Sequence, residues 1–361
     1  MTNFTVPRAA AALLLLTAAT TPPDPYAPGR AIVADVQTLV GPDAVDETFT
    51  ATLGGAKQVV NVRGADKANP ILLYIHGGPG AVEMPIGWSF QRPWEDFFTV
   101  VQWDQRAAGR SYLLESEAKL APTLSPERYR DDAIELIELL RRKYGKRKIV
   151  LLGHSWGSVV GLMVAAKRPD LLHAYVGVGQ LVNFRENERV GYAWTLAEAK
   201  RRGDAAAVKA LEGIAPYPGD GALDVRRTDV ERTINVRYGG LAWRRPNSDF
   251  YFHTGRLSPL YTAADRRAWD DGSAFTMRTM WPKLATIDFF PLKRVDVPVV
   301  FFLGRHDTTT PSEIAERWLA AASAPKKRIV WFEKSAHLPI VEEPGRTLTA
   351  LVNDVLPLAE E

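Results

Sequence analysis

Six short apolar runs, at residues 70–75, 97–103, 148–152, 174–179, 297–303 and 328–332, set the framework of this chain. Each is continuous rather than alternating, the pattern of a strand covered on both faces. Ahead of them, residues 48–53 and 58–63 carry strand-like alternation on either side of Gly54-Gly55, which predicts an antiparallel hairpin. Helical spacing fills the intervals. Ser125-Pro126-Glu127 reads as an N-cap, a proline in the first turn and an early acid, followed by Ile134, Ile137, Leu140 and Tyr144 at helical intervals. Residues 158–166 read as a second helix ending near Pro169, a third starts near Pro311, and a last one covers about 344–355. Strands alternating with helices predict an α/β fold, a mostly parallel sheet flanked by helices.

The rhythm breaks after Gly179. From about Leu181 to Phe290 there are no buried-strand runs, only helical stretches at 188–202 and 205–211, Pro/Gly breaks and scattered aromatics: Trp194, Tyr217, Trp243, Phe250, Tyr251, Phe252, Trp269 and Trp281. This predicts a mainly helical cap, 182–290, over the sheet edge, dividing a catalytic domain into 46–181 and 291–361. Most of these aromatics are assigned to packing within the cap and a few to the cleft beneath it. At the N-terminus Arg8 precedes an apolar run, 9–19, too short to span a bilayer but suited to a secretory signal. Residues 1–20 are therefore read as a signal peptide and the protein as exported, periplasmic or secreted. The alternative is an Ala/Leu-rich N-terminal helix on a cytoplasmic protein. Residues 21–45 are read as a Pro-rich linker or loosely docked arm.

Composition narrows the function classes. Of 361 residues, 46% are hydrophobic and 24% charged, as in ordinary globular proteins. The net charge of +3 is small and scattered, which predicts neither nucleic-acid nor membrane-surface binding. No later segment reads as transmembrane, so no stable membrane insertion is expected after processing. The absence of cysteine excludes disulfides, thiolate nucleophiles and cysteine metal sites. Oligomeric state is not read from the sequence.

The chemistry centres on Gly153-His154-Ser155-Trp156-Gly157, between the run 148–152 and the helix that follows. Strand, Gly-x-Ser-x-Gly and helix in that order present a serine on a tight turn, with a helix N-terminus favouring negative charge beside it. A serine hydroxyl needs a base to take its proton, and the base needs a partner to fix its tautomer. Asp307 and His337 each follow a parallel strand, as Ser155 does, so all three meet at the carboxyl edge of the sheet. The remaining histidines are placed otherwise. His76 belongs to the loop after the first apolar run, and His154 lies inside the elbow pointing away from Ser155. His173 begins a strand, His253 sits in the cap, and His306 adjoins the acid. Asp296, the rival acid, precedes its strand and falls at the wrong edge. Two N–H donors for an oxyanion are expected from Trp156 and from Gly77-Gly78. Asp104 and Arg106 are read as an ion pair bracing the neighbouring loop, and Arg244-Arg245 as solvated.

Taken together, His76-Gly77-Gly78-Pro79-Gly80, the segment 103–111 containing Asp104-Gln105-Arg106, the elbow, Gly304-Arg305-His306-Asp307 and Ser335-Ala336-His337 resemble the prolyl iminopeptidase family of α/β-hydrolases. The resemblance implies an α/β-hydrolase fold and a serine hydrolase without metal or organic cofactor. It also implies a small-molecule or short-peptide substrate, with release of N-terminal residues through an acyl-enzyme. The chain departs from the family in two ways. His154 stands where the family commonly has a second glycine. The cap glutamates that hold a substrate's free amine have no clear match, since Tyr251-Phe252 is preceded by Asn247-Ser248-Asp249. Glu186, Glu188, Asp249 and Trp243 are the substrate-binding candidates, with a solvated helix start as the plain reading of the two glutamates. An esterase, lactonase or other small acyl-compound hydrolase is the alternative function, and a non-catalytic receptor on the same fold the remaining one.

Overall fold

The computed structural model describes residues 24–360; the segment 1–20 read as an export signal lies outside them. Eight strands form one sheet in the order β1-β2-β4-β3-β5-β6-β7-β8. They are β1 (Val45–Leu53), β2 (Ala56–Gly64), β3 (Ile71–Ile75), β4 (Thr99–Asp104), β5 (Ile149–His154), β6 (Leu172–Val178), β7 (Val299–Gly304) and β8 (Lys327–Phe332). The hairpin β1–β2 and the β2–β4 pair are antiparallel, and every pairing from β4 onward is parallel. Gly54 and Gly55 close the hairpin with φ of 50° and 73°, the left-handed conformation that a two-residue turn of this kind requires.

The continuous apolar runs become strands because both faces are covered, and the two-residue side-chain period divides each run between two cores. On one face Ile71, Leu73, Ile75, Ile149 and Leu151 pack with Leu136, Ile137 and Leu140 of the helix Pro126–Tyr144 and with Val159, Val160 and Leu162 of the helix Trp156–Lys167. On the other face Leu72, Tyr74, Val150, Leu152, Val176 and Phe302 meet Phe90, Trp94, Leu338 and Leu351. Each such aliphatic side chain contributes about 1.5–3 kcal/mol by leaving water. The helix Pro126–Tyr144 is bounded as its sequence indicates. The Ser125 hydroxyl accepts the Arg128 N–H at 3.2 Å, and Gly145 ends the helix at φ 65°.

Within the segment read as a Pro-rich linker or loosely docked arm, Ala27–Val36 is a helix with no buried residue. Arg30 donates to the Arg256 carbonyl at 3.2 Å and Gln37 to that of Trp88 at 3.2 Å, tying the helix and the residue after it to the body. Of the prolines that suggested a linker, Pro22, Pro23 and Pro25 precede the helix, Pro28 falls in its first turn, where proline is tolerated, and Pro42 follows it.

Between β6 and β7 the chain forms the helices Phe184–Arg202, Ala205–Gly213, Val225–Arg237, Asp249–Phe252 and Ala263–Leu284. The excursion leaves and returns at one point. The Phe184 N–H donates to the Ile287 carbonyl at 3.0 Å, and the Phe289 N–H to that of Val182 at 2.9 Å.

Candidate active site

Ser155 links β5 to the helix Trp156–Lys167 at φ 54°, ψ −117°. A non-glycine residue at positive φ costs of order 1–3 kcal/mol and persists only where its surroundings fix it. Here the Ser155 N–H donates to the Val178 carbonyl at 2.9 Å, and its own carbonyl accepts the Ser158 N–H and hydroxyl at 2.9 and 2.6 Å. Gly157 lies so close to the Ile75 backbone that a side chain there would collide with it. Ser155 is half-buried at the sheet edge where β6 and β7 also end.

Asp307 and His337 follow β7 and β8. His337 Nδ1 is 2.9 Å from Asp307 Oδ2. Thr310, which the sequence did not single out, completes the arrangement. Its N–H donates to Asp307 Oδ1 at 2.8 Å, and its hydroxyl lies 2.8 Å from Asp307 Oδ2, 3.0 Å from His337 Nδ1 and 3.1 Å from the Gly179 carbonyl. The His337 N–H is taken by the Leu241 carbonyl of the cap at 2.9 Å. Gly179, at φ 52°, lies against the ring: a Cβ there would be 2.8 Å from Cε1 and Nδ1. Since Ser155 is bonded to Val178, the residue before Gly179, the imidazole and the serine are held by adjacent residues of one strand end. Burial pulls the His337 imidazole below its ordinary range, and Asp307 pulls the other way.

Gly77 lies over the serine, where a Cβ would be 3.1 Å from Ser155 Cβ; Gly78 follows at φ 109°. The first N–H groups of the helix starting at Trp156 have no intrahelical acceptor. Trp156 itself is buried, its indole N–H donating to Gln105 Oε1 at 3.1 Å. His76 anchors the glycine loop from beneath, with Nδ1 at 2.9 Å from the Gly77 carbonyl and Nε2 at 3.3 Å from the Gln105 N–H. These partners specify a neutral ring, and burial pushes its pKa down to about 4. His154 turns away from Ser155 onto Glu83 and the back of His337.

The other candidates have different surroundings. Asp104 and Arg106 do not pair. Arg106 holds Asp132 with two bonds of 2.8 and 2.9 Å, both residues buried, while Asp104 accepts the Arg110 N–H at 2.8 Å and the Tyr261 hydroxyl of the cap. Residues two apart at a strand end and the turn beyond it diverge, which neighbourhood in sequence conceals. Burial pushes the Asp104 carboxyl up to about 6. Glu186 points outward to Arg317 at 2.8 Å and Arg189 at 3.6 Å. Glu188 points inward, but its carboxylate is engaged by Arg232, Tyr217 and Asn187. Asp249 is exposed at the start of a short helix. Trp243 is close to the centre: its ring stacks on His306 at 4.7 Å, and its backbone N–H donates to Glu342 Oε1 at 2.6 Å. Glu342 also accepts the N–H groups of Ala336 and Leu338, which flank His337, at 2.9 and 3.2 Å. Burial pushes its carboxyl up to about 7 against the pull of those donors. A hollow of about 530 Å³ adjoins Asp307, lined also by Trp194, His306, Thr308 and Trp331. Among the described residues no helix is long and apolar enough to cross a membrane.

A family model described as the α/β-hydrolase fold matches residues 70–344, and the chain belongs to that family. It is a hydrolase, and its relatives include aminopeptidases and proline iminopeptidases. It is 32% identical over 297 residues to a probable aminopeptidase, YbaC, of Bacillus subtilis (strain 168), spanning 81% of this chain and 91% of that one. A proline iminopeptidase-related protein of Thermus thermophilus superposes with a TM-score of 0.61 at 21% identity, over 88% of this chain and 99% of that one. A thermophilic esterase from Thermogutta terrifontis superposes at 0.54 with 19% identity, over 87% and 99%. At those identities the two structures share the fold with this chain.

Proposed function

We propose that the protein is a serine hydrolase of the prolyl iminopeptidase type, releasing N-terminal residues from small peptides through an acyl-enzyme. Ser155 Oγ attacks the carbonyl carbon while His337 Nε2 takes its proton. Asp307 holds the Nδ1–H and stabilises the imidazolium that forms. The N–H groups of Trp156 and of Gly77-Gly78 donate to the oxyanion. His337 then protonates the leaving amine. Water, deprotonated by the same nitrogen, attacks the acyl carbon, releasing the acid and restoring Ser155. The observation that carries this reading is the His337 ring, with Nδ1 at 2.9 Å from Asp307 and one edge against Gly179, the residue after the one that binds the Ser155 N–H.

The substrate class leans on the likeness to the probable aminopeptidase over 81% of the chain. A second reading keeps the machinery and changes the substrate to an ester or other small acyl compound. It is favoured by the engagement of Glu186 and Glu188 with arginines, which leaves neither carboxylate free for a substrate amine. Aminoacyl amides, free and N-blocked, assayed beside p-nitrophenyl esters of rising chain length separate the two. Blocked amides turned over as fast as free ones would sink the aminopeptidase reading. Ser155→Ala should lower kcat by a factor of about 10³ or more and abolish fluorophosphonate labelling, with an unchanged melting curve. Near-normal turnover would remove Ser155 from the reaction.

A further inference from the structure

A second histidine sits against the proposed base. The His154 and His337 rings lie 4.9 Å apart between centroids, tilted by 36°. His154 Nδ1 is 2.7 Å from Glu83 Oε1, and Nε2 is 2.9 Å from the His337 carbonyl oxygen. A carboxylate and a carbonyl can only accept hydrogen bonds, so an ionised Glu83 leaves His154 with a proton on each nitrogen and a positive charge. Both side chains are buried, at 5% and 2% exposure. The Tyr251 hydroxyl donates to the same Glu83 oxygen, Tyr74 lies beside the carboxylate, and Glu83 Oε2 has no partner in hydrogen-bond geometry among the described residues. As a stabilising device this is poor, because a buried ion pair does no better than apolar side chains of the same volume, and an orphaned oxygen adds to the cost. What distinguishes the pair is its position, since the hydrogen bonds of the His154 ring run to Glu83 and to His337.

We propose that Glu83 and His154 form a positioning unit for His337, pinning its backbone carbonyl and holding a positive charge against its ring. The inference rests on the serine-hydrolase reading above. Asp307 favours a charged His337, whereas His154 and Arg232 oppose it. His154 faces Glu83 and, farther off, Asp307 and His76. Glu83 faces Tyr251 and Tyr74 as well as His154. Glu342 binds the backbone on both sides of His337. Glu83 supports the charge on His154, and that charge makes a second imidazolium beside it unfavourable. The base is thereby kept free of a proton at lower pH than burial and Asp307 alone would set.

The test is the pH profile of kcat/KM for Glu83→Gln, with a p-nitrophenyl ester as substrate. Without its carboxylate partner His154 loses its proton, the repulsion at His337 disappears, and the acid limb should move up by about one pH unit. Glu83→Asp, which keeps the charge, should return the limb at least halfway. A limb that stays within about 0.2 unit of wild type in folded Glu83→Gln overturns the proposal. A measurement on the unmodified protein guards against a variant that fails to fold. Imidazole ¹H–¹⁵N correlation spectra at pH 8 should show His154 protonated on both nitrogens and His337 on one. A neutral His154 there also overturns it. Ser155→Ala separates the two levels of argument. If that variant keeps its turnover, the serine reading falls and takes the positioning unit with it. If it is inactive while the Glu83→Gln profile matches wild type, only the positioning unit falls.

Discussion

Gly179→Ala probes how tightly the proposed base is confined. The backbone at residue 179 has φ 52°, where a side chain costs about 1–2 kcal/mol. The new Cβ would lie 2.8 Å from Cε1 and Nδ1 of His337, where ordinary contact begins near 3.4 Å, so the ring must retreat by about 0.6 Å. It cannot do so freely, because the same Nδ1 is held by Asp307 at 2.9 Å and Thr310 Oγ1 at 3.0 Å. Misplacing a reacting group by about 1 Å costs on the order of 10²-fold, so kcat/KM should fall by about 10- to 100-fold. The assay is ester hydrolysis together with the rate of fluorophosphonate labelling at Ser155, both of which should slow in parallel. Gly145→Ala is the control. Gly145 has a similar φ of 65° but, among the described residues, nothing within 4 Å of its would-be Cβ, so it should lose comparable stability in urea and no activity. A folded Gly179→Ala protein with kcat/KM within about twofold of wild type would refute the confinement of the ring, since the predicted loss is several times larger.

Two further expectations concern stability. His76 has a folded pKa of about 4 against an ordinary 6.5, so its contribution is complete above pH 6.5 and is lost as pH falls toward 4. The stability gap between wild type and His76→Gln should therefore shrink by about 2 kcal/mol between pH 7.5 and pH 5 in urea unfolding; parallel curves would show that the ring is charged in the native state. Arg106→Met takes the buried guanidinium from Asp132, leaving the carboxylate to Arg128 and Gln58, each at 2.9 Å, and should cost about 3 kcal/mol, part of it recovered in Arg106→Met/Asp132→Leu. A double variant no more stable than the single one would place the loss in packing instead of charge.

What the sequence disclosed and what it hid divide along a physical line. Strands β3, β5 and β7 were legible because burial on both faces leaves an unbroken apolar run. The Ser155 turn was legible because its glycines are fixed by backbone contact within a few residues or across one strand pair. Asp307 and His337 could be expected near each other because parallel strands share a carboxyl edge. Pairings made across the fold left no such mark. Tyr251 reaches Glu83, Tyr261 reaches Asp104 and Arg106 reaches Asp132, each joining segments with no common period or motif. Glu186 and Glu188 look equivalent in sequence, yet about 200° of helical rotation sends one outward to Arg317 and the other inward to Arg232. The helix Ala27–Val36 was masked by the prolines before and inside its first turn, which set its start instead of preventing it.

The narrow neck of the cap gives the molecule a cassette-like construction. Its two ends meet at Val182–Phe289 and Phe184–Ile287, a pair of hydrogen bonds in antiparallel register, so a different excursion with the same end spacing could be spliced in without disturbing the sheet. Conditions travel with the graft, among them the bonds of Tyr251 to Glu83, Tyr261 to Asp104 and Trp243 to Glu342, and one of them bears on His337 directly. The Leu241 carbonyl belongs to the cap and receives the His337 N–H at 2.9 Å. A replacement segment has to offer an acceptor at that point, or the exchange will also unseat His337, the proposed base.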